Sequence, residues 1–184
     1  MLAYLFWHRP KTDVETNAYE RHLAGFHETL SEADVEGFQS SATFRIEGAS
    51  WMGPETPAYE DWYLLDGSCA MDPLNEAAVS GARKAPHDAA AHAATDGAGG
   101  LYSLRSSGRG MDAHLAVWFS KPEGVGYPEF YEEIEPWKDR PNASLWRRQM
   151  VLGPAPEFCL STNEEVQLPS ELDPVVVKRD RVWP

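Results

Sequence analysis

Among the six histidines of the chain, His8 stands in the most telling setting. It closes an apolar, aromatic-rich run from Leu2 to Trp7, and an imidazole at the end of such a strand-like stretch can exchange a proton near neutral pH. Its chemistry would be general-base catalysis. Arg45 lies between Thr43 and Glu47 on the polar side of a second alternating stretch, where a fixed guanidinium can hold a carboxylate or an enolate oxygen. Tyr4, Phe6, Trp62, Tyr63, Tyr102 and Trp118 would wall a pocket for a flat apolar molecule. Each has a plainer reading. A strand-end histidine bonds to backbone or water, an arginine pairs with Glu47 or a neighbouring strand, and aromatics fill a core.

Other chemistries lack their motifs. His22 and His27, like His87 and His92, are five residues apart, about 140° around a helix, so neither pair shares a face as metal ligands four apart would. No HExxH pattern is present. The serines have no GxSxG setting. Gly97, Gly99 and Gly100 precede a strand-like stretch and read as a turn, not as a phosphate cradle at a helix start. Neither a metal nor a cofactor is expected. Cys69 and Cys159 read as two ordinary reduced thiols.

Composition narrows the partners. A chain of 184 residues, 42% hydrophobic, can bury a substantial core. Its 29 acidic residues against 16 basic ones leave a net charge of -13, which repels polyphosphate and argues against nucleic acid. The apolar opening is interrupted by His8 and Arg9, too early for a membrane span, and has no cationic start. The expectation is a cytoplasmic protein with a small hydrophobic or aromatic ligand.

The elements that would position these side chains fall into a repeat. A shift of 112 lays residues 3–20 on 115–132, so that Phe6-Trp7 meets Trp118-Phe119, Arg9-Pro10 meets Lys121-Pro122 and Tyr19-Glu20 meets Tyr131-Glu132. A shift of 97 lays Pro57-Ala58 and Glu60 on Pro154-Ala155 and Glu157. In the first copy, residues 2–8 read as a strand. A helix follows with Asp13 as its N-cap and Tyr19, Leu23, Phe26 and Leu30 as its stripe. Residues 39–47 alternate as a strand with Ala42, Phe44 and Ile46 on one side, and 59–65 form another. Asp72-Pro73 starts a helix broken near Pro86, resumed over 87–95 and ended at Gly97, before a strand over 100–105. The second copy has strands over 115–120, 145–152, 157–161 and 175–183 and a helix over 128–135. Its segment 163–174 is too short and proline-rich for a second full helix. The vacant sheet face must then be covered by the broken helix, by segment 136–146 or by a partner subunit.

Strand-helix-strand-strand-helix-strand is the split βαβ unit of ferredoxin-like folds. The fold expected is therefore α+β: two such units, 1–110 and 111–184, with antiparallel sheets packed face to face in one compact barrel. Tyr4, Phe6 and His8 are expected to face the space between the sheets. Ser120, the repeat counterpart of His8, would leave one asymmetric pocket with one base.

The opening LAYLFWHRP, followed by YERHLAGFH, resembles the start of EthD-like proteins of the dimeric α-β barrel superfamily. The resemblance implies a single-chain version of a barrel usually shared by two subunits, and a monomer with an internal pseudo-dimer or a homodimer of it. Relatives include cofactor-free monooxygenases, polyketide cyclases and haem-handling proteins, and a histidine near the first strand or helix commonly sits at their cavity. The matching positions are His8, with His22 and His27 as accessory candidates. Two readings follow. One is a monooxygenase-like or cyclase-like enzyme acting on a small aromatic or polyketide-like molecule, with His8 as base and Arg45 on the enolate. The other is a non-catalytic binding or structural protein, and a haem-handling role is a third reading.

Overall fold

The computed structural model describes residues 1–54, 57–106, 108, 113–138, 140–150 and 153–183. The elements, in chain order, are β1 (Leu2–Pro10), α1 (Thr16–Ser31), β2 (Phe38–Glu47), β3 (Ala58–Leu65), α2 (Met71–Ala78), α3 (Lys84–Ala93), β4 (Ala94–Leu104), β5 (Leu115–Phe119), α4 (Tyr127–Glu133), α5 (Glu135–Lys138), β6 (Ser144–Met150), β7 (Phe158–Thr162) and β8 (Val175–Trp183). The strands close into one antiparallel barrel ordered β1-β3-β2-β8-β5-β7-β6-β4. Opened between the units, this order is β4-β1-β3-β2 and β8-β5-β7-β6, the same ferredoxin-like arrangement twice. The units join edge to edge through β2 with β8 and β4 with β6, so every strand described has a neighbour on both sides. The expected boundary at residues 110 and 111 and the end of the strand expected over 145–152 lie outside the described residues.

Alternation along the strands divides two cores. Ala3, Leu5 and Trp7 point into the barrel with Ala42, Phe44, Ile46, Trp62, Leu64, Tyr102, Trp118, Trp146 and Val177. An eight-stranded barrel has an interior just wide enough for side chains to fill, and here four tryptophans and a tyrosine fill it. This corrects the expected orientation of β1: Tyr4, Phe6 and His8 face outward, beneath the helices. It also places Trp62, Tyr102 and Trp118 in packed core instead of at a ligand. The interior is not wholly apolar. Glu60 and Arg179 pair at 2.7 Å while both are buried, and the indoles of Trp7 and Trp62 donate to the same carboxylate at 2.8 and 2.6 Å.

The helical segments explain where one cavity opens. The break expected at Pro86 comes earlier, at Ser80-Gly81, where Gly81 takes a φ of +57°. Pro86 is tolerated because it falls in the first turn of α3, whose amides need no intrahelical acceptor. Gly97, Gly99 and Gly100 belong to β4 and do not form a turn. A Cβ at Gly97 would lie 2.7 Å from the Phe6 ring, and one at Gly99 would lie 3.1 Å from Tyr4. Their missing side chains let those rings lean over β4. In the second unit only a single 3-10 turn, Ser170–Leu172, intervenes between β7 and β8. Its outer sheet face is covered by Phe130 of α4, Ile134 between the two helices and Trp137 of α5, with Val166, Leu168 and Leu172, so the chain itself supplies the cover.

Candidate functional site

The outer face of the first unit assembles the site. Register pairs Tyr4 with Tyr63, Phe6 with Asp61 and His8 with Tyr59 across β1 and β3. Above them, the stripe of α1 presents Tyr19, Leu23, Phe26, His27 and Leu30, all buried. Helices α2 and α3 form the remaining wall through Met71, Leu74, Ala78, Ala90 and Ala91. Between these walls lies a cavity of about 440 Å³. That is enough for a small ligand of two or three fused rings.

Its polar wall is one connected network. Asp61, 4% exposed, lies between two buried imidazoles. His8 Nε2 approaches Asp61 Oδ2 at 3.2 Å and His27 Nε2 approaches Oδ1 at 3.5 Å, both off the line of an ideal hydrogen bond. The Tyr63 hydroxyl donates to Oδ2 at 3.2 Å. On its other nitrogen, His8 Nδ1 meets the Tyr19 hydroxyl at 2.5 Å, and His27 Nδ1 meets Ser41 Oγ at 2.7 Å. Burial alone would raise the Asp61 pKa, but the positive charge that His8 and His27 can carry, with their contacts, outweighs it and holds the carboxyl far below the usual range. Burial first, then the Asp61 and Tyr59 charges, push the Tyr19 phenol well above its ordinary value. Tyr19 therefore keeps its proton and can donate it to His8 Nδ1 when that nitrogen carries none. The His8 ring is further fixed by stacking on Tyr59 at 5.8 Å and 4°.

The structure brings together Tyr4, Phe6, His8 and Tyr63 at the cavity, with His27 directly behind it. It does not bring the other candidates there. Arg45 pairs with Glu20 at 3.3 Å and Asp180 at 3.2 Å and lines a different hollow, so the ion-pair reading describes its position. His22 is exposed, and so is Ser120, at the rim of another hollow. Sequence reasoning missed Tyr19 and Asp61. The signal for Asp61 was present: two adjacent acids, Glu60 and Asp61, interrupt an otherwise apolar strand, and alternation sends one into the barrel and the other beneath the helices. Among the described residues no group of three His, Cys, Asp or Glu is arranged to hold a metal ion, and no helix is long and apolar enough to cross a membrane.

The second unit supplies an internal comparison. Trp7 and Trp118 both face the barrel interior, with ring centroids 5.6 Å apart, and setting one against the other keeps the parity that the faces impose. The shift of 112, which laid outward Phe6 on inward Trp118, is one residue out of phase. With Trp7 on Trp118, the pair His8–Tyr59 corresponds to Phe119–Phe158, and Phe6–Asp61 to Val117–Leu160. The counterpart of His8 is thus Phe119 instead of Ser120. Likewise Thr43 corresponds to Leu145 and Arg45 to Arg147. Where the first unit holds an imidazole stacked on a tyrosine, the second stacks Phe119 on Phe158 at 5.5 Å and 12°.

No family model and no curated protein matches this chain. Among solved structures, a "putative monooxygenase" from Lactobacillus acidophilus NCFM aligns over 98% of this chain and 94% of its own, with a TM-score of 0.58 and 10% identity. A "putative chlorite dismutase" aligns over 99% and 96%, with a TM-score of 0.52 and 8% identity. At such identities the likeness is one of fold: an α+β, eight-stranded dimeric α-β barrel built from two ferredoxin-like units.

Proposed function

We propose that this protein is an enzyme that removes a proton from a small, flat, apolar molecule held between the outer face of β1 and β3 and helices α1 to α3. The observation that carries this reading is the Tyr19–His8–Asp61 series, a hydrogen bond followed by an ion-pair contact, in the wall of a 440 Å³ cavity. The lone pair of His8 Nδ1 is taken up by the Tyr19 hydroxyl, so the proton travels in two moves. The ligand gives its proton to Tyr19 Oη as Tyr19 passes its own to His8 Nδ1. The resulting imidazolium rests against Asp61, whose low pKa keeps it anionic to receive it. The aromatic walls, Tyr4, Phe6, Phe26 and Tyr63, hold the ring system flat and exclude water.

The EthD-like resemblance supplies the two fates of the carbanion so formed. In a monooxygenase-like reaction it meets dioxygen, converting an activated CH2 to C=O with water as the other product. In a cyclase-like reaction it closes a ring on an internal carbonyl. Among the described residues the lining has no lysine or arginine to meet the carboxylates of a haem, so the residues do not fit that group. The same reading takes the two units as copies of one ancestor, and takes the chain as a cytoplasmic protein that completes its barrel without a second subunit.

The test is deuterium uptake. In D2O, the wild-type protein should accelerate exchange of the acidic CH2 protons of 2-tetralone, followed by NMR, and His8→Ala and Tyr19→Phe should lose that acceleration. Exchange at the buffer rate with wild type would refute the enzymatic reading. Ligand-induced stabilisation without exchange would leave the non-catalytic binding reading in its place.

A further inference from the structure

We infer that His27, which does not touch the cavity, carries the positive charge that neutralises Asp61, so that His8 is left uncharged and able to accept a proton. This positioning role rests on the proposed function, but its geometry does not. One carboxylate, 4% exposed, lies between two buried imidazoles. With both rings neutral, Asp61 would be an unpaired buried charge, and with both protonated the site would hold an excess cation. Each is costly, so the site holds one proton between two rings.

The outer nitrogens decide which ring takes it. A protonated His8 would turn its Nδ1–H toward Tyr19, whose hydroxyl proton has no second acceptor among its hydrogen bonds. A protonated His27 turns its Nδ1–H toward Ser41 Oγ. A phenol is the stronger donor and the weaker acceptor, and an aliphatic hydroxyl is the better acceptor, so the proton settles on His27. On the inner side, Asp61 Oδ1 has His27 Nε2 as its near neighbour, while Oδ2 also receives the Tyr63 hydroxyl.

The remaining groups do not alter this balance. Tyr4 from β1 and Tyr59 and Tyr63 from β3 stay protonated. From β2, Thr43 lies beside Asp61 in register and is uncharged, and Arg45 is engaged by Glu20 and Asp180. On α3, His87 pairs with Asp88. Asp72 of α2 is exposed at the cavity rim.

Long-range proton–nitrogen NMR on the full chain labelled with 15N-histidine reads the answer directly at pH 7, without ligand. The two nitrogens of a charged ring resonate close together and those of a neutral ring far apart. The expected spectrum has His27 with converged nitrogens and His8 with separated ones, Nδ1 being the unprotonated member. His27→Gln keeps a donor toward Asp61 and removes the charge, so His8 should become the charged ring and the tetralone exchange should be lost. His27→Phe serves as a second variant. A charged His8 in wild type, two neutral rings, or a His8 signal unchanged in His27→Gln would each overturn the inference. If the spectra are as expected but wild type shows no exchange, the charge assignment stands and the enzymatic reading falls. Exchange with a charged His8 gives the reverse.

Discussion

Replacing Asp61 by Asn removes one charge while keeping shape, and its effect on stability must depend on pH in a defined direction. Asp61 is 4% exposed, with ring nitrogens at 3.2 and 3.5 Å. Two unit charges about 4 Å apart interact by roughly 4 kcal/mol at an effective dielectric of 20, and breaking a buried pair by removing one partner costs about 3–5 kcal/mol. The substitution should therefore cost about 3–5 kcal/mol at pH 7. Because the folded-state pKa is depressed, the stabilisation is fully present above the unfolded value of about 3.9. Below it the unfolded chain takes up the proton and the folded chain does not. The gap between wild type and Asp61→Asn should then close by about 1.4 kcal/mol for each pH unit below 4. Urea denaturation of both proteins at intervals between about pH 3 and 7 measures it, with unchanged m-values showing that the unfolded reference is the same. A constant gap across that range would mean that the cost is packing and not charge. No gap at pH 7 would mean that the imidazoles do not pair with Asp61, and the proposed proton path would lose its terminus.

Two other predictions concern the barrel interior. Arg179→Met should cost about 3–5 kcal/mol, because it strands Glu60 as an unpaired buried carboxylate, and the Glu60→Gln/Arg179→Met double variant should recover much of that loss in the same denaturation assay. Burial pushes the Cys159 thiol up to about 12, against the opposing charge of Arg179, while Cys69 is exposed. A chromogenic disulfide should therefore titrate one thiol in the native protein and two in denaturant.

The elements that alternate in polarity were legible in the sequence. Strand β2, with Ala42, Phe44 and Ile46 inside and Thr43, Arg45 and Glu47 outside, lies as its pattern predicts, β8 spans the expected residues, and the shortened second unit follows from the prolines between β7 and β8. Strand β1 was legible as a strand but not in its orientation, because both of its faces are buried. Tyr4, Phe6 and His8 beneath helices and Leu5 and Trp7 in the barrel leave no polar side, so period two gives no direction. The repeat slipped for a related reason: Phe-Trp in one unit faces Trp-Phe in the other, and matching aromatic to aromatic overrode the parity that faces impose. Tyr19 read as one more member of an apolar stripe. Its contact with His8, eleven residues away, and that of His8 with Asp61, fifty-three away, are products of tertiary packing that spacing does not encode.

The second unit shows that the barrel does not itself require the polar network. At equivalent positions the same sheet carries Phe119 for His8, Leu160 for Asp61, Phe158 for Tyr59 and Leu145 for Thr43, all buried. These make a packed apolar face in which Phe119, Phe130 and Phe158 stand ring against ring. Replacing buried ionic groups by well-packed apolar ones is often neutral or stabilising, so the fold had an apolar solution available, and used it once. The first unit instead keeps a carboxylate, two imidazoles and a phenol beside an open cavity, and thins β4 to glycine where Tyr4 and Phe6 lean over it. Stability does not account for that difference. The proposed function does, and under it the one-sided placement of the charges predicts one working site per chain.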